Sequence, residues 1–304
     1  MKLFSGTSNQ PLAAAVADAL HMPLGDAEIT RFIDNECRVF VRENVTGHGV
    51  FVLQSLSEVA DQNLVEVCLL GSALKDLGAK KVTAVIPWMG YSKQDKAFRK
   101  GEAISAQLVA KFIEAAGFDA VITAELHSEN VVPYFRIPVT ELSTHTILGD
   151  GLFSANPDIS RSDVIVVSPD KGGKSRSERF AEEIGVSVVY LTKIRDRVNG
   201  AVQVTGTDGD VSGKTVIMFD DIINTGSTAL KTSEYVKNQG ATSVYFLATH
   251  AVLAGSAPED LQQSVIDQVV VTDTIAIPKQ KKFPKLIVAS VSSLLAGAIK
   301  EQTK

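Results

Sequence analysis

The stretch VIMFDDIINTGSTAL, residues 216–230, decides how this chain is expected to fold. Its first four residues are apolar and β-favouring, which predicts a buried strand over 216–219 that ends at Asp220 and Asp221. The segment 224–228 supplies a glycine, small residues and hydroxyls immediately before a helical pattern. Such a turn can point several backbone N–H groups and a helix N-terminus at one anion, so we expect a phosphate there.

Asp220 and Asp221 lie just upstream of this turn. Their oxygens could bind the hydroxyls of a sugar that carries the phosphate, or a divalent metal that bridges to it. The alternative is an ordinary strand, turn and helix in which the acidic residues cap the helix. The flanking pattern favours a phosphorylated ribose, and it resembles the phosphoribosyl diphosphate (PRPP) loop of the phosphoribosyltransferase fold. Many enzymes share that loop, so the motif predicts a ligand and leaves the reaction open.

Length and composition limit the classes of protein to which the chain can belong. Its 304 residues suit two domains of roughly 150 residues each. The net charge of −5 and the pI near 5.6 provide no basic field that would attract nucleic acid. No apolar run reaches the roughly 18 residues of a membrane span, and Cys37 and Cys68 lack metal-ligand spacing. We therefore expect a cytoplasmic protein with neither nucleic acid nor a membrane as a partner.

Strand-like and helix-like segments alternate along the chain, which predicts an α/β fold with largely parallel sheets. Strands are expected over 3–6, 50–54, 81–87, 119–124, 164–168, 186–191, 216–219, 244–249, 269–272 and 286–289. Helices are expected over 11–20, 63–77, 104–116 and 229–238. The expected domains are 1–145 and 146–290, and a last helix within 291–304 is expected to pack back on the first domain.

A weak internal sequence similarity suggests that the two domains are similar to each other. Residues 74–87, LKDLGAKKVTAVIP, and 236–249, VKNQGATSVYFLAT, share a helix end, a Gly-Ala pair and a β-branched strand. Gly78 and Gly240 each suit a left-handed cap at the C-terminal end of a helix. Duplication and chance similarity between two αβ units both remain open at this point.

Polar side chains also follow other predicted strands, where parallel sheets collect ligand-binding residues. Glu125 and His127 follow the fourth predicted strand, and Asp170 follows the fifth at the start of a glycine-rich turn. Three cations within 193–197 could close over a polyphosphate. Each cluster taken alone is also explained by a solvent-exposed loop. The same ambiguity holds for the polar segments 31–36 and 87–96.

Taken in order and over nearly the whole chain, these segments resemble the ribose-phosphate diphosphokinase family, also called the PRPP synthetases. The resemblance is carried by LFSGTSNQPLAAAVADAL (3–20), RFIDNECRVFVRENVTGHGVFVLQS (31–55), NLVEVCLLGSALKDLGAKKVTAVIPWMGYSKQD (63–95), ISAQLVAKFIEAAGFDAVITAELHSENVVPYF (104–135), VVSPDKGG (166–173) and FDDIINTGST (219–228). It implies two phosphoribosyltransferase-like domains, the first binding nucleotide and the second binding ribose 5-phosphate. It also implies transfer of the β,γ-diphosphate of Mg-ATP to the 1-hydroxyl of ribose 5-phosphate, giving PRPP and AMP for nucleotide biosynthesis.

The same resemblance assigns candidate site residues. Those for ribose 5-phosphate are Asp220, Asp221, Asn224, Thr225, Gly226, Ser227 and Thr228, with the two acids on the ring hydroxyls and 225–228 around the 5-phosphate. Those for ATP are Phe32, Asp34, Glu36, Lys93, Gln94, Asp95 and His127. The Mg²⁺-associated residues are His127 and Asp170, and the catalytic cations are Lys193 and Arg195. Homo-oligomerisation is the family habit, so we expect at least a homodimer, with the segment 32–36 acting across a subunit boundary.

The chain departs from the family pattern at four positions. Glu125 stands where the family usually has Asp, Lys93 where it usually has Arg, Asn35 where Gly is common, and Asn224 where Asp is frequent. Lysine in place of arginine loses a planar, bidentate contact with phosphate.

Two other classes of function compete with the diphosphokinase. One is a catalytically silent regulatory subunit that keeps the fold and assembles with active relatives. The other is a phosphoribosyltransferase that uses PRPP with a base. The retained site residues argue against the first, and the two-domain length argues against the second.

Overall fold

The structure is a computed structural model that describes residues 1–168, 173–195 and 202–303; for 192–195 and 202–205 it describes the backbone alone. The chain forms two compact units. Unit 1 comprises Met1–Ser143, Thr274–Ala276 and Ser290–Lys304, and unit 2 comprises Thr144–Asp273 and Ile277–Ala289.

Unit 1 is built on a parallel sheet flanked by helices. Its strands are β1 (Lys2–Ser5), β4 (Gly49–Leu53), β5 (Lys81–Ile86), β6 (Ala120–Ala124) and β7 (Val139–Leu142), in the order β1-β4-β5-β6-β7. Its helices are α1 (Gln10–Leu20), α2 (Ala60–Asp76), α3 (Ser105–Ala115) and α8 (Ser292–Glu301). The inner strands β4, β5 and β6 are buried because helices cover a parallel sheet on its faces, whereas the edge strand β7 is partly exposed.

A separate antiparallel hairpin belongs to unit 1. Strands β2 (Ala27–Arg31) and β3 (Cys37–Val41) pair with each other, and the turn between them is 32–36. The sequence patterns did not predict this hairpin, because its strands are only partly buried and their residues mix charged with apolar side chains.

Unit 2 contains a larger, mostly parallel sheet. Its strands are β8 (Val164–Ser168), β9 (Ser187–Arg195), β10 (Val202–Thr207), β11 (Thr215–Ile223), β12 (Ser243–Ala251), β13 (Gln268–Thr272) and β14 (Leu286–Ala289), in the order β10-β9-β8-β11-β12-β13-β14. Its helices are α4 (His145–Ala155), α5 (Lys174–Ile184), α6 (Ser227–Asn238) and α7 (Ala257–Gln263). The pair β9 and β10 is antiparallel, and the other pairs are parallel.

The predicted α/β architecture with largely parallel sheets is confirmed. Two boundaries around the motif were wrong. Strand β11 does not end at Asp220, because Ile222 and Ile223 continue the ladder with β12. Helix α6 begins at Ser227 rather than at 229, so Ser227 and Thr228, which were predicted for the turn, belong to the first turn of the helix, and Thr225 remains in the turn.

The predicted helix ends are confirmed. Gly78 follows α2 with φ 81°, and Gly240 follows α6 with φ 92°. At these angles glycine has no steric penalty, and it lets the chain reverse into the next strand. None of the helices in the described ranges has both the length and the apolar composition that a membrane crossing needs.

Helix α8 completes unit 1 by packing against α1. Leu295 and Ile299 are fully buried, and the Lys300 ammonium donates a hydrogen bond to the carbonyl of Ala19 at 3.3 Å. The end of the chain therefore supplies core side chains to the unit that contains the start of the chain.

This packing predicts the effect of truncating one core leucine. Leu295→Ala should lower the free energy of unfolding of unit 1 by about 2–5 kcal/mol, because it leaves a cavity in a close-packed core. Leu108→Ala is the matched control, since the Leu108 side chain is 48% exposed. Denaturant titration of both variants checks this, and equal losses would contradict a core role for α8.

Candidate functional site

Strand β11 places the acidic pair near the C-terminal ends of the parallel strands of the second sheet. It lies between β8 and β12 and pairs in parallel with both. Val216, Ile217 and Met218 are fully buried. Because parallel strands run in the same direction, the C-terminal end of β11 lies beside those of its neighbours, where open α/β sheets bind ligands.

The turn after β11 has the geometry of an anion site. Gly226 has φ 74°, a left-handed conformation that favours glycine, and it caps α6. In the described residues of α6, the first turn carries no acidic side chain and the cap makes no side-chain hydrogen bond. The positive end of the helix dipole is therefore available to a negative ligand. Together, Asp220, residues 222–229 and Phe246 line a pocket of about 110 Å³.

The segment after β12 braces this turn from outside. The N–H groups of Val252 and Leu253 donate to the carbonyl of Ile223 at 3.0 and 3.2 Å, and the N–H of Ala254 donates to the carbonyl of Asn224 at 2.9 Å. A turn whose carbonyls are fixed in this way keeps its own N–H groups in place. These bonds fix the backbone at the start of the turn that carries the predicted phosphate residues, 224–228, and we name this turn the cradle.

Arg176 holds the acidic pair together, and the sequence analysis did not identify it as a site residue. Its Nη1 lies 2.5 Å from Oδ1 of Asp220 and 2.7 Å from Oδ1 of Asp221. The Asp220 side chain is 28% exposed, whereas that of Asp221 is 1% exposed. Arg176 is 44 residues from Asp220 along the chain, so no local spacing could have indicated this contact.

The environment of Asp220 disfavours its charged form. Burial is the largest cause, the neighbouring charge of Asp221 adds to it, and together they raise the pKa of Asp220 to about 7 despite the opposing charge of Arg176. Carboxylates packed this closely cannot both ionise freely without a cation beside them.

Aromatic packing fixes the strand directly beneath the acidic pair. The Phe219 ring stacks on Phe180 with centroids 4.5 Å apart and meets the edge of His145 at 4.8 Å. Nδ1 of His145 lies 2.9 Å from a carboxylate oxygen of Glu183 on α5. Because Phe219 immediately precedes Asp220, these contacts hold β11 in place relative to α5, the helix that carries Arg176.

In unit 1, Asp95 fastens the segment after β5 to the segment after β6. Its carboxylate accepts hydrogen bonds from Ser128 Oγ at 2.7 Å and from Asn130 Nδ2 at 2.9 Å, and its carbonyl accepts one from Tyr134 Oη at 2.5 Å. Burial would raise the pKa of Asp95, but the bonds from Asn130 and Ser128 outweigh it, and the pKa lies below its ordinary value. The candidate ATP residues at the two strand ends are thus joined through one buried carboxylate.

The other ATP candidates at these strand ends are more exposed than Asp95. The Gln94 side chain is exposed and accepts a short hydrogen bond from Ser105, and Lys93 and His127 are partly exposed. Glu125 is buried with φ 35°, and its N–H donates to the carbonyl of Leu142 on β7. The chain therefore turns sharply out of β6 just before His127.

The candidate adenine-binding segment is the tip of the hairpin β2–β3. Phe32 is 54% exposed, and the side chains of Asp34 and Glu36 are exposed as well. The tip is ordered by hydrogen bonds from the N–H of Phe32 to the carbonyl of Glu36 and from the N–H of Asn35 to the carbonyl of Phe32, both at 2.9 Å. An exposed aromatic side chain on an ordered turn is suited to stack against a planar ligand.

Other predicted residues lie partly or wholly outside the described chain. Asp170 falls outside it, and Lys193 and Arg195 have a described backbone in β9 but no described side chain. Their backbone partners on β10 are Val204 and Val202. Within the described ranges, no three His, Cys, Asp or Glu side chains converge as a metal site.

Comparison with known proteins identifies the family. Residues 1–117 match the N-terminal domain of ribose phosphate pyrophosphokinase, and residues 168–303 match the phosphoribosyl synthetase-associated domain. The chain belongs to the ribose-phosphate pyrophosphokinase family. The predicted family is confirmed, and with it the predicted enzyme class, a diphosphotransferase.

Individual relatives of this family match the chain from end to end. The ribose-phosphate pyrophosphokinase of Caldanaerobacter subterraneus is 40% identical over 299 residues, covering 98% of this chain and 93% of the relative. The ribose-phosphate pyrophosphokinase of Thermotoga maritima is 40% identical over 300 residues, covering 98% of this chain and 94% of the relative. The crystal structure of phosphoribosylpyrophosphate synthetase from Mycobacterium smegmatis superposes with a TM-score of 0.91 at 34% identity, covering 99% of this chain and 98% of that one. The predicted pair of phosphoribosyltransferase-like domains is confirmed.

One departure from the ribose-phosphate pyrophosphokinase pattern has a structural explanation. Asn35, where the family commonly has glycine, has φ 73° at the hairpin tip. Asparagine is among the few other residues that adopt this left-handed conformation readily. The substitution therefore preserves the turn.

The contrasting pKa values of Asp220 and Asp95 predict opposite effects of the same substitution on stability. Asp220→Asn should raise the free energy of unfolding of the ligand-free protein near pH 8, because it removes a charge that the folded state disfavours. This gain should shrink as the pH falls through about 7 towards about 4, where the native aspartate is itself protonated.

Asp95→Asn is the matched comparison. It should lower the free energy of unfolding near pH 8, because the folded state favours the charged form of Asp95. That loss should persist down to about pH 4 and disappear only below it. Denaturant titrations of both variants across this pH range check the two signs, and a stability change of the same sign in both would contradict the assignment.

Proposed function

We propose that the protein transfers the β,γ-diphosphate of Mg-ATP to the 1-hydroxyl of ribose 5-phosphate, giving PRPP and AMP. The observation that carries this proposal is the cradle after β11 in a chain of the ribose-phosphate pyrophosphokinase family. The cradle suits a phosphate, and the carboxylates beside it suit the hydroxyls of a sugar. Unit 2 is the proposed ribose 5-phosphate domain, and unit 1 the proposed nucleotide domain.

The proposed sugar site uses the residues of one turn. Backbone N–H groups and hydroxyls of 225–228 would hold the 5-phosphate, and Asn224 would adjoin it without adding negative charge. Asp220 and Asp221 form the acidic pair for the ring hydroxyls. A sugar fixed at both ends leaves its 1-hydroxyl in one orientation, which is the main contribution that positioning makes to catalysis.

The proposed catalytic cations are Lys193 and Arg195. Phosphoryl and diphosphoryl transfer develops negative charge on the phosphate oxygens, and fixed cations stabilise it. Residues of the chain need not form a covalent intermediate in such a reaction. The enzyme then accelerates transfer through position and electrostatics alone.

The proposed ATP site combines the hairpin tip with the ends of β5 and β6. Phe32 would stack on adenine, while Asp34 and Glu36 offer acceptors to polar groups of the nucleotide. Lys93, Gln94 and His127 would bind the phosphates and ribose. Asp95 supports this site by joining the segment after β5 to the segment after β6, because its carboxylate accepts hydrogen bonds from Ser128 and Asn130.

Magnesium is the proposed cofactor. Proteins usually bind Mg²⁺ through one or two side chains while phosphates and water complete its octahedral shell, so the pair His127 and Asp170 suits an ion that arrives with ATP. Bound Mg²⁺ would neutralise charge on the transferring phosphates. The proposed location is the cytoplasm, in keeping with two free cysteines.

Product analysis tests the proposed reaction. Purified protein with ribose 5-phosphate, ATP and magnesium should yield AMP and acid-labile PRPP in equal amounts. Formation of ADP would instead indicate transfer of a single phosphoryl group. Ligand binding without any turnover would contradict the enzyme and favour the regulatory-subunit alternative.

We also propose that the protein assembles at least as a homodimer. Of the large apolar side chains exposed in the described chain, only Val265 and Val288 belong to unit 2, and the others are in unit 1. Neighbouring exposed apolar side chains are typical of an interaction face, and Phe32, Ile33 and Phe40 lie on one hairpin. Phe32 at the hairpin tip is part of it, which supports a nucleotide site shared between subunits.

Co-expression of two inactive variants tests the shared site. Phe32→Ala and Lys193→Ala should each lose most activity alone, by impairing adenine binding and charge stabilisation. Random pairing of the two should restore about a quarter of wild-type activity, because half of the dimers would be mixed and each mixed dimer has one intact site. Val288→Ala, 40% exposed in unit 2 and outside the proposed face, is the control that should stay active. No recovery in the mixture would place the whole site within one subunit.

A further inference from the structure

The guanidinium of Arg176 contacts two carboxylates that differ in their other hydrogen bonds and in their exposure. One nitrogen, Nη1, contacts both Oδ1 atoms, at 2.5 Å for Asp220 and 2.7 Å for Asp221. The Asp220 Oδ1 also accepts the N–H of Asp221 at 3.0 Å. The cation and the backbone thus tether the same oxygen of Asp220.

The two carboxylates differ in access. Asp220 is 28% exposed and lines the pocket of the cradle. Asp221 is 1% exposed, and the Arg176 side chain that pairs with it is itself 16% exposed. A buried carboxylate that loses a cation in direct contact with it keeps its charge in a low-dielectric site with less compensation, which is unfavourable. Asp221 is therefore tied to Arg176, whereas Asp220 has surface to offer to a ligand.

We propose that Arg176 is a positioning residue that gives the two carboxylates different roles. It holds Asp221 in an ion pair, and it orients Asp220 towards the sugar hydroxyls. This inference rests on the proposed function and deepens it. Within the acidic pair that the proposed function assigns to the ring hydroxyls, Asp220 makes the direct contact, and Asp221 contributes through the cation. The raised pKa of Asp220 agrees with this arrangement, because burial and the neighbouring charge of Asp221 together outweigh the charge of Arg176.

The position of Arg176 on α5 makes the arrangement specific. Phe180 on the same helix stacks on Phe219 of β11, so the helix and the strand that the ion pair joins are also fixed by packing. The guanidinium therefore reaches the carboxylates from a rigid support. Lysine at this position would keep the charge but has a more flexible stem, so it should hold the two oxygens less firmly.

Steady-state kinetics of Arg176→Gln tests the proposal, with wild-type formation of PRPP as the reference. Arg176→Gln should raise the KM for ribose 5-phosphate on the order of tenfold, the effect of one charge-assisted hydrogen bond. The KM for ATP should stay at the wild-type value. Arg179→Gln is the matched control, because Arg179 is exposed on the same helix, and it should leave both constants unchanged.

Two further variants separate positioning from general damage. Arg176→Lys should restore part of the lost affinity for ribose 5-phosphate. Asp221→Asn should raise the same KM, and the double variant with Arg176→Gln should show less than the product of the two single effects, because both changes remove one ion pair.

Three results would overturn the proposal. They are an unchanged KM for ribose 5-phosphate in Arg176→Gln, equal increases in both KM values, or single effects that multiply fully in the double variant. If Arg176→Gln does not fold, a wild-type KM in folded Arg176→Lys overturns it as well. A wild-type protein that makes no PRPP would instead refute the proposed function and is recognised before any variant is compared.

Discussion

The site depends on one constraint: two adjacent carboxylates lie in the C-terminal half of β11, directly after residues that are almost completely buried. Val216–Met218 need the sheet and helices around them, so the acidic pair begins where water is largely excluded. Charge in such a place is stable only beside an opposite charge or a strong hydrogen-bond donor. Arg176 supplies the opposite charge and the hydrogen-bond donor. The N-terminal turn of α5 therefore has to lie close enough to β11 for the Arg176 side chain to contact the carboxylates.

Packing then makes the position of that cation reproducible. The stack of Phe180 on Phe219 joins α5 to β11 one turn away from the ion pair. On the other side, N–H groups of 252–254 hold the carbonyls of Ile223 and Asn224. The carboxylates and the cradle are thus fixed by different parts of the same unit. Groups fixed before the ligand arrives need little reorganisation in the transition state, which is the physical basis of electrostatic catalysis.

The sequence was informative wherever a local pattern determines the structure. The apolar run over 216–219 predicted a buried strand, and Gly78 and Gly240 predicted left-handed helix ends, because each depends on neighbours in the chain. Contacts between distant segments were not predictable in this way. Arg176 meets Asp220 across 44 residues, and Asp95 meets Asn130 across 35. The hairpin β2–β3 was missed for a related reason, since its strands carry little of the burial that produces a clear alternation.

The two units show why a similar framework supports different sites. Gly49 pairs with Lys81 at the start of β4 and β5, and Thr215 pairs with Ser243 at the start of β11 and β12. Counted from these paired starts, Gln54 occupies in unit 1 the position that Asp220 occupies in unit 2. The Gln54 amide is fully buried, where its oxygen accepts the Ser8 hydroxyl and N–H and its nitrogen donates to Glu66.

This substitution changes what the strand end can do. A neutral amide has both a donor and acceptors, so the surrounding protein can satisfy it completely, and in unit 1 it closes the strand end with internal hydrogen bonds. A carboxylate has acceptors only, and burial together with the charge of a second carboxylate beside it disfavours its charged form. In unit 2 the strand end therefore keeps a partly exposed acceptor beside the cradle. The charge at one position in the same register therefore contributes, together with the turn over 224–228, to the difference between the closed strand end of unit 1 and the candidate site of unit 2.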